Sequence, residues 1–351
     1  MTESMTTRGD IAIITDSDLD GVSCGIICRA IEFSTDYYLS SPKHMRVDIP
    51  KFMDNLEEAP PKLLIRTDLS LTDELAERIN DFYIKGNPVK YFDHHTSSNN
   101  LNSYEWANVA DVIGRTKTCA TELLWRYLRP DVRCNKYHTA ISENDNVSDL
   151  ISRIDRYVEL VRRWDTWDWI NLGDDGIVSR NLNTLFRMQN VNSFIETMRD
   201  RLLDPASDNL LGFMTSADMD EINLKEAEKT KFIHRKFNDM IHMEENMIID
   251  GASKTYRLGV VFSDEYTSEL GNFMCKRDES IDIAVIINMS TGVVNLRTNK
   301  DINTSLLAKT LGGGGHMKAS GFVINDTSRH NIIREILHLS TGGSMEYVEA
   351  E

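Results

Sequence analysis

Residues Val89-Lys90-Tyr91-Phe92-Asp93-His94-His95-Thr96 run from a short apolar stretch straight into a carboxylate and two adjacent imidazoles. Side chains alternate faces along a strand, so a strand cannot aim His94 and His95 at one ligand, whereas the loop leaving its carboxyl end can. Open α/β sheets build their sites at that edge. The stretch therefore predicts a strand whose end belongs to a site, provided other strands deliver chemistry to the same edge.

Two others do. Ile11-Ala12-Ile13-Ile14 is compact and β-branched, as buried parallel strands are, and Thr15-Asp16-Ser17-Asp18-Leu19-Asp20-Gly21 follows at once. Apolar positions then resume at helical spacing, with Cys24, Cys28 and Ile31 on one stripe. One aspartate between a strand end and a helix start can serve as a cap. Three aspartates exceed that need, and bound cations with hard oxygen ligands would relieve their repulsion. Further on, Lys62-Leu63-Leu64-Ile65-Arg66-Thr67-Asp68 is another apolar run ending in an acid, followed by a helical segment near 73–83. βαβ connections make such strands parallel, with their carboxyl ends on one edge.

A helical pattern covers 116–128. Another covers about 147–163 and ends in Arg162-Arg163-Trp164-Asp165-Thr166-Trp167-Asp168-Trp169, where the aspartates either pair with the arginines or serve the site. Between Leu202 and about Asp250 the chain is rich in Glu, Lys and Met and reads as a long linking helix. His234 and His242 are eight apart, too far for a zinc-type pair, and read as surface or core histidines. The last hundred residues give strands at 256–262, 281–290 and 293–299, with helices at 267–276 and about 303–311. Then comes Gly312-Gly313-Gly314-Gly315-His316, read as a loop. Consecutive glycines are costly in chain entropy and mark close backbone approach, with free N–H groups suited to a phosphate.

The 351 residues suggest two domains. A hydrophobic share of 41%, a charged share of 27% and the lack of any apolar run near the roughly 20 residues that span a bilayer point to a soluble, non-membrane chain. The N-terminal residues lack an apolar signal core, so the cytoplasm is expected. The five cysteines lack CxxC spacing and read as small core hydrophobes, excluding a disulfide framework or structural zinc site. A net charge of −16 argues against a broad cationic face gripping long nucleic acid and favours a short anionic ligand in a cleft.

Asp18-Leu19-Asp20-Gly21, Asp68, Asp93-His94-His95, Asp165 and the Gly312–His316 segment, in that order, resemble the DHH phosphoesterase superfamily in its DHHA1 branch. The nearest likeness is to nano-RNase or oligoribonuclease-type members, with RecJ-type exonucleases more distant. The resemblance implies an α/β protein: a parallel-sheet DHH catalytic domain over 1–200 with helices on both faces, a helical linker over 201–250, and a smaller α/β DHHA1 substrate-binding domain over 251–351. It implies Asp18, Asp20, Asp68, His94 and Asp165 as metal ligands, with Asp168 in reserve for the last. Asp93 would support the loop and His95 would face the substrate phosphate. Arg297, Gly313, Gly314, Gly315 and His316 would bind the terminal phosphate or nucleotide. The cofactor would be Mn²⁺ or Mg²⁺, two per active site and about 3.5–4 Å apart. One departure stands out: many relatives carry a histidine where this chain has Ile14, which implies a second metal site that is either weaker or filled partly by Asp16.

The expected activity is metal-dependent hydrolysis of short oligonucleotides or linear dinucleotides to mononucleotides. The alternatives are a RecJ-like single-strand DNA exonuclease, favoured by Asp16-Ser17-Asp18-Leu19-Asp20-Gly21, and a catalytically decayed nucleotide-binding protein, favoured by Ile14. A homodimer through the Met-rich segment 219–248 is the expected partner contact beyond substrate.

Overall fold

The computed structural model describes residues 10–32, 34–41, 44–134, 146–249 and 251–336. The chain divides into two compact units, Met1–Ile222 and Asn223–Glu351. The first holds strands β1 (Ile11–Asp16), β2 (Thr35–Ser40), β3 (Leu63–Thr67), β4 (Val89–Asp93) and β5 (Ala107–Val109), all parallel, in the order β2-β1-β3-β4-β5. A small ladder of β6 (Val112–Ile113) and β7 (Thr116–Lys117) stands apart from that sheet. The helices are α1 (Leu19–Ile31), α2 (Met45–Glu58), α3 (Asp73–Ile84), α4 (Ala120–Arg133), α5 (Val147–Asp165), α6 (Asp174–Met188) and α7 (Val191–Leu203). The helix α8 (Ser216–Asn238) carries the division between the units.

Alternation along the central strands builds a core on each face. Ile11 and Ile13 of β1, Ile65 and Phe92 face α1, α4, α5 and α7, where Cys24, Ile27, Leu124, Ile154 and Phe194 lie buried. Ala12, Ile14, Leu64 and Tyr91 face α2 and α3, against Ile49, Met53, Leu75 and Ile79. The chain leaves β1 for β2 on one side and takes up β3 on the other, so α1 and α3 lie on opposite faces. Their divergence opens a crevice beyond the carboxyl ends of β1 and β3, the switch point where this strand order places ligands.

The second unit carries a six-stranded mixed sheet, β12-β13-β11-β10-β9-β8. Its strands are β8 (Ile241–Ile249), β9 (Ala252–Phe262), β10 (Ile283–Asn288), β11 (Val293–Arg297), β12 (Gly314–His316) and β13 (Ala319–Val323). The helices α9 (Thr267–Arg277) and α10 (Thr304–Thr310) pack on opposite faces, and α11 (Asp326–Ile336) follows β13. Among the described residues, no helix is long and apolar enough to cross a membrane.

Two expectations are corrected. The stretch 202–250 is not one helix: α8 stops at Asn238, and all nine residues of β8 pair with β9. Its Glu and Met residues favour helix in isolation, but a neighbouring eleven-residue strand supplies a ladder that outweighs that preference. Met243 and Met247 therefore sit on a strand, and the proposed Met-rich helical face ends at 238. The Gly312–His316 loop is likewise an edge strand over Gly314–His316, hairpin-paired to β13.

Candidate metal centre

Three strand ends and one helix end bring the acidic and imidazole groups together. After β1, Asp18 caps α1, its carboxylate accepting from Gly21 N–H at 3.0 Å. Asp20 faces inward and accepts the N–H groups of Ala120 (2.7 Å) and Thr121 (2.9 Å) at the start of α4. A helix N-terminus stabilises that charge, and the sequence gives no local sign of it because the capped helix begins a hundred residues away. Asp68 follows β3 with φ at 55°, an uncommon backbone for a non-glycine residue. Asp165 closes α5.

His94 lies in their midst. Its Nε2 is 3.3 Å from Asp68, 3.5 Å from Asp165 and 3.9 Å from Asp20. Three overlapping groups each bring their donor atoms within 4.8 Å of one another: Asp20, His94 and Asp165; Asp68, His94 and His95; Asp16, Asp18 and Asp68. Asp168 is elsewhere, bound to the Arg162 guanidinium at 2.7 Å, so the cluster contains Asp165 and not the reserve. Ile14 is fully buried in the α2/α3 core, while Asp16, two residues on, reaches the cluster.

The carboxylates are crowded. Burial, then Asp20, Asp18 and Asp165, push Asp68 well above the usual carboxylate range. Burial, Asp20 and Asp18 do the same to Asp165. Asp18 is raised by its packing among protein atoms and by Asp20, although part of the residue stays open to solvent. Asp16 is pushed up to about 6 by burial and Asp18. Asp68 Oδ2 and Asp165 Oδ2 are buried with no hydrogen-bond partner. A buried oxygen left unpaired costs about 1–3 kcal/mol, more when charged. Carboxylate oxygens with one imidazole form a donor set suited to Mn²⁺ or Mg²⁺.

Asp93 is built differently. Burial alone would raise it, but hydrogen bonds from His95, Ser98 and Tyr91 hold it at about 2. Tyr91 Oη (2.7 Å), Ser98 Oγ (2.6 Å), His95 Nδ1 (2.7 Å) and the backbone N–H groups of His94 (2.8 Å) and His95 (3.2 Å) all donate to it. An ionised carboxylate only accepts, so Nδ1 of His95 carries a proton. Asp93 in turn raises His95, which is half exposed with its other nitrogen free to face a ligand. Tyr91 was legible as a partner, two residues before Asp93 on one strand face; Ser98 was not.

In the second unit, His316 pairs with Ala319, and Ala319 with Arg297. The three share one rung and one sheet face, with His316 and Arg297 two strand spacings apart, about 9.6 Å. The next rung on that face is Gly314, Gly321 and Asn295. Arg297 donates to Ser268 Oγ at 3.0 Å, and burial lowers its pKa. A Cβ on Gly313 would fall 2.1 Å from Gly321 O, so the fold itself demands glycine there; one on Gly314 meets nothing within 4 Å.

No family model matches the chain. It is 30% identical over 321 residues to oligoribonuclease NrnB of Bacillus subtilis (strain 168), covering 90% of this chain and 73% of that protein. Among solved structures, the pGpG-specific phosphodiesterase PggH from Vibrio cholerae aligns over 93% of this chain and 98% of that one, at 13% identity and a TM-score of 0.47. An exopolyphosphatase-related protein from Bacteroides fragilis aligns over 94% and 92%, at 11% identity and a TM-score of 0.45. Those two likenesses, below a TM-score of 0.5, carry no weight here. The NrnB match, with the motifs in their order, the parallel sheet and the second sheet unit, places the chain in the DHH phosphoesterase superfamily, DHHA1 branch.

Proposed function

We propose that the chain is a metal-dependent phosphodiesterase that hydrolyses short oligonucleotides or linear dinucleotides to mononucleotides. The observation that carries this reading is the pair of buried carboxylate oxygens without a hydrogen bond, Asp68 Oδ2 and Asp165 Oδ2, on two acids that both approach His94 Nε2, Asp68 through its other oxygen. The name of the B. subtilis relative, an oligoribonuclease, supports the substrate class.

In this reading Asp18, Asp20, Asp68, His94 and Asp165 hold Mn²⁺ or Mg²⁺, two per site, with Asp16 supplying the donor that Ile14 does not. Bound there, the cations would lower the pKa of a water and neutralise charge on the phosphoryl oxygens. His95, kept protonated by Asp93, presents a positive N–H toward the phosphate where charge develops. Asp93 is a positioning residue, fixing the ring and folding the His94–His95 backbone about its own carboxylate. Arg297, His316 and the backbone of Gly313, Gly314 and Gly315 bind the terminal phosphate or nucleotide, and open space at Gly314 lets a ligand approach the strand. The catalytic role falls to residues 1–200 and the substrate-binding role to 251–351.

Hydrolysis of labelled oligonucleotides of about two to thirty residues, in Mn²⁺, tests the substrate class. Activity greatest on the shortest substrates is expected. Activity rising with length would favour a RecJ-like exonuclease, and no cleavage at any length would favour a nucleotide-binding protein.

A further inference from the structure

A cavity of about 500 Å³ opens beside the carboxylate cluster of the first unit, within the size range of small-ligand sites. Asp18, Asp20 and Asp165 form one part of its lining. Trp164, Asn183, Phe186, Arg187 and Gln189, from the end of α5 and from α6 and its exit, form another. The carboxylate chemistry described above uses none of these five.

Their polar groups are left without partners. Asn183 is only 8% exposed, yet its carboxamide makes no hydrogen bond among the described residues. Gln189 Oε1 is buried and unpartnered. Arg187 is exposed, and its guanidinium makes no ion pair among the described residues. A buried acceptor left unpaired, as Gln189 Oε1 is, is costly to the fold, and Asn183 offers a second free carboxamide on the same cavity. Independently, Trp164 belongs to an aromatic stack, 5.4 Å from Trp169 at 20° and 6.4 Å from Trp167 at 23°. Trp167 adopts a left-handed backbone, φ 63°, while leaving its residue 43% exposed. A partly exposed aromatic stack, reaching the cavity through Trp164, beside carboxamides that each offer a donor and an acceptor matches a nucleobase, which has a π-face and a hydrogen-bonding edge. Arg187 offers a planar fork for a phosphate oxygen.

The geometry points to a nucleoside site in this cavity: Trp164 stacks on the base flanking the scissile phosphate, Asn183 and Gln189 hydrogen-bond its edge, and Arg187 takes the adjoining phosphate. The assignment rests on the phosphodiesterase reading and makes these residues determinants of substrate affinity, not of the chemical step.

Two measurements test it. Adenosine, a neutral probe, quenches tryptophan fluorescence saturably in the whole chain, whereas ribose does not; Asn183→Ala weakens that binding. In Mn²⁺, Trp164→Leu, Asn183→Ala and Arg187→Gln each raise KM for the linear dinucleotide pApA about tenfold, near the low end for one stacked base, with kcat within about twofold. Arg187→Gln, at the exposed rim, keeps the test open if Trp164→Leu fails to fold. Absence of saturable quenching, or an unchanged KM in folded variants, overturns the site. If the wild-type chain binds adenosine but cleaves no dinucleotide, the phosphodiesterase reading fails while the nucleoside site stands on its own.

Discussion

The ends of β3 and β4 lie side by side, and each delivers a buried aspartate. Asp93, at the end of β4, receives five hydrogen bonds and is held at about 2. Asp68, just past β3, has one oxygen with no partner and is pushed far the other way by burial and three neighbouring carboxylates. The protein supplies all the protons that Asp93 needs to remain an anion, and almost none for Asp68. Neighbouring carboxylates of equal burial thus divide into one that organises protein and one left open toward a cation.

The sharpest way to break that contrast is to neutralise each acid in turn. Asp68→Asn should lower turnover by about 10²–10³-fold, as loss of a positioned charge does, yet raise the melting temperature in EDTA because repulsion is relieved. His94→Ala should lose comparable activity with little change in stability, since His94 is a loop residue outside the core. A fall in stability for Asp68→Asn in EDTA would refute the account of its raised pKa. Asp93→Asn should behave oppositely, losing about 2–3 kcal/mol of stability by chemical denaturation as its hydrogen-bonded charge is removed. Its activity should fall about 10–100-fold, as when the partner of a ligand loop is lost.

The pH dependence of stability sharpens the contrast further. Asp16, Asp18, Asp68 and Asp165 have folded pKa values above the ordinary 3.8. Their contribution is therefore fully present below 3.8 and lost as pH rises through the folded values, about 6 for Asp16. Asp93 has the reverse sign, and its contribution is lost as pH falls from 3.8 toward 2. Melting of metal-free protein should accordingly fall from pH 4 to pH 7 by about 2–4 °C for each 1 kcal/mol of repulsion, and Asp68→Asn should flatten that slope. A melting temperature that climbs over the same interval would contradict the reading.

The smallest effects belong to the second unit, where Gly313 and Gly314 repeat the comparison between a group the fold uses and one it leaves open. Gly313→Ala must push into Gly321 and should cost about 1–3 kcal/mol. Gly314→Ala should stay within about 0.5 kcal/mol of wild type and raise KM several-fold instead. Equal effects on KM from both would remove the argument for substrate approach at Gly314.

The sequence made the strand ends legible because each couples an apolar run to an acid, and a parallel sheet carries such ends to one edge. Asp18, Asp20, Asp68 and His94 meet as that pattern implied, and Asp165, which only the family resemblance singled out, joins them from a helix end. What stayed hidden was tertiary. Asp20 caps a helix a hundred residues away, and Asp168 is taken by Arg162, which no spacing rule decides. The strand at 241–249 was concealed by helix-favouring residues that a long neighbour recruits into its ladder. The glycine run was misread because strands disfavour glycine, whereas here close packing against β13 requires it at Gly313 and Gly315. The wall of Asn183 and Gln189 gave no motif at all, since unpaired carboxamides are visible only once their surroundings are known.

Hydrolysis of a linear dinucleotide by EDTA-stripped protein, followed as MnCl₂ is added, decides whether the cluster of Asp68, His94 and Asp165 works as a metal centre. No turnover is expected before metal, then a saturable rise with Mn²⁺, and no rise for Asp68→Asn. Turnover that persists in EDTA, or that Asp68→Asn matches, would contradict that role.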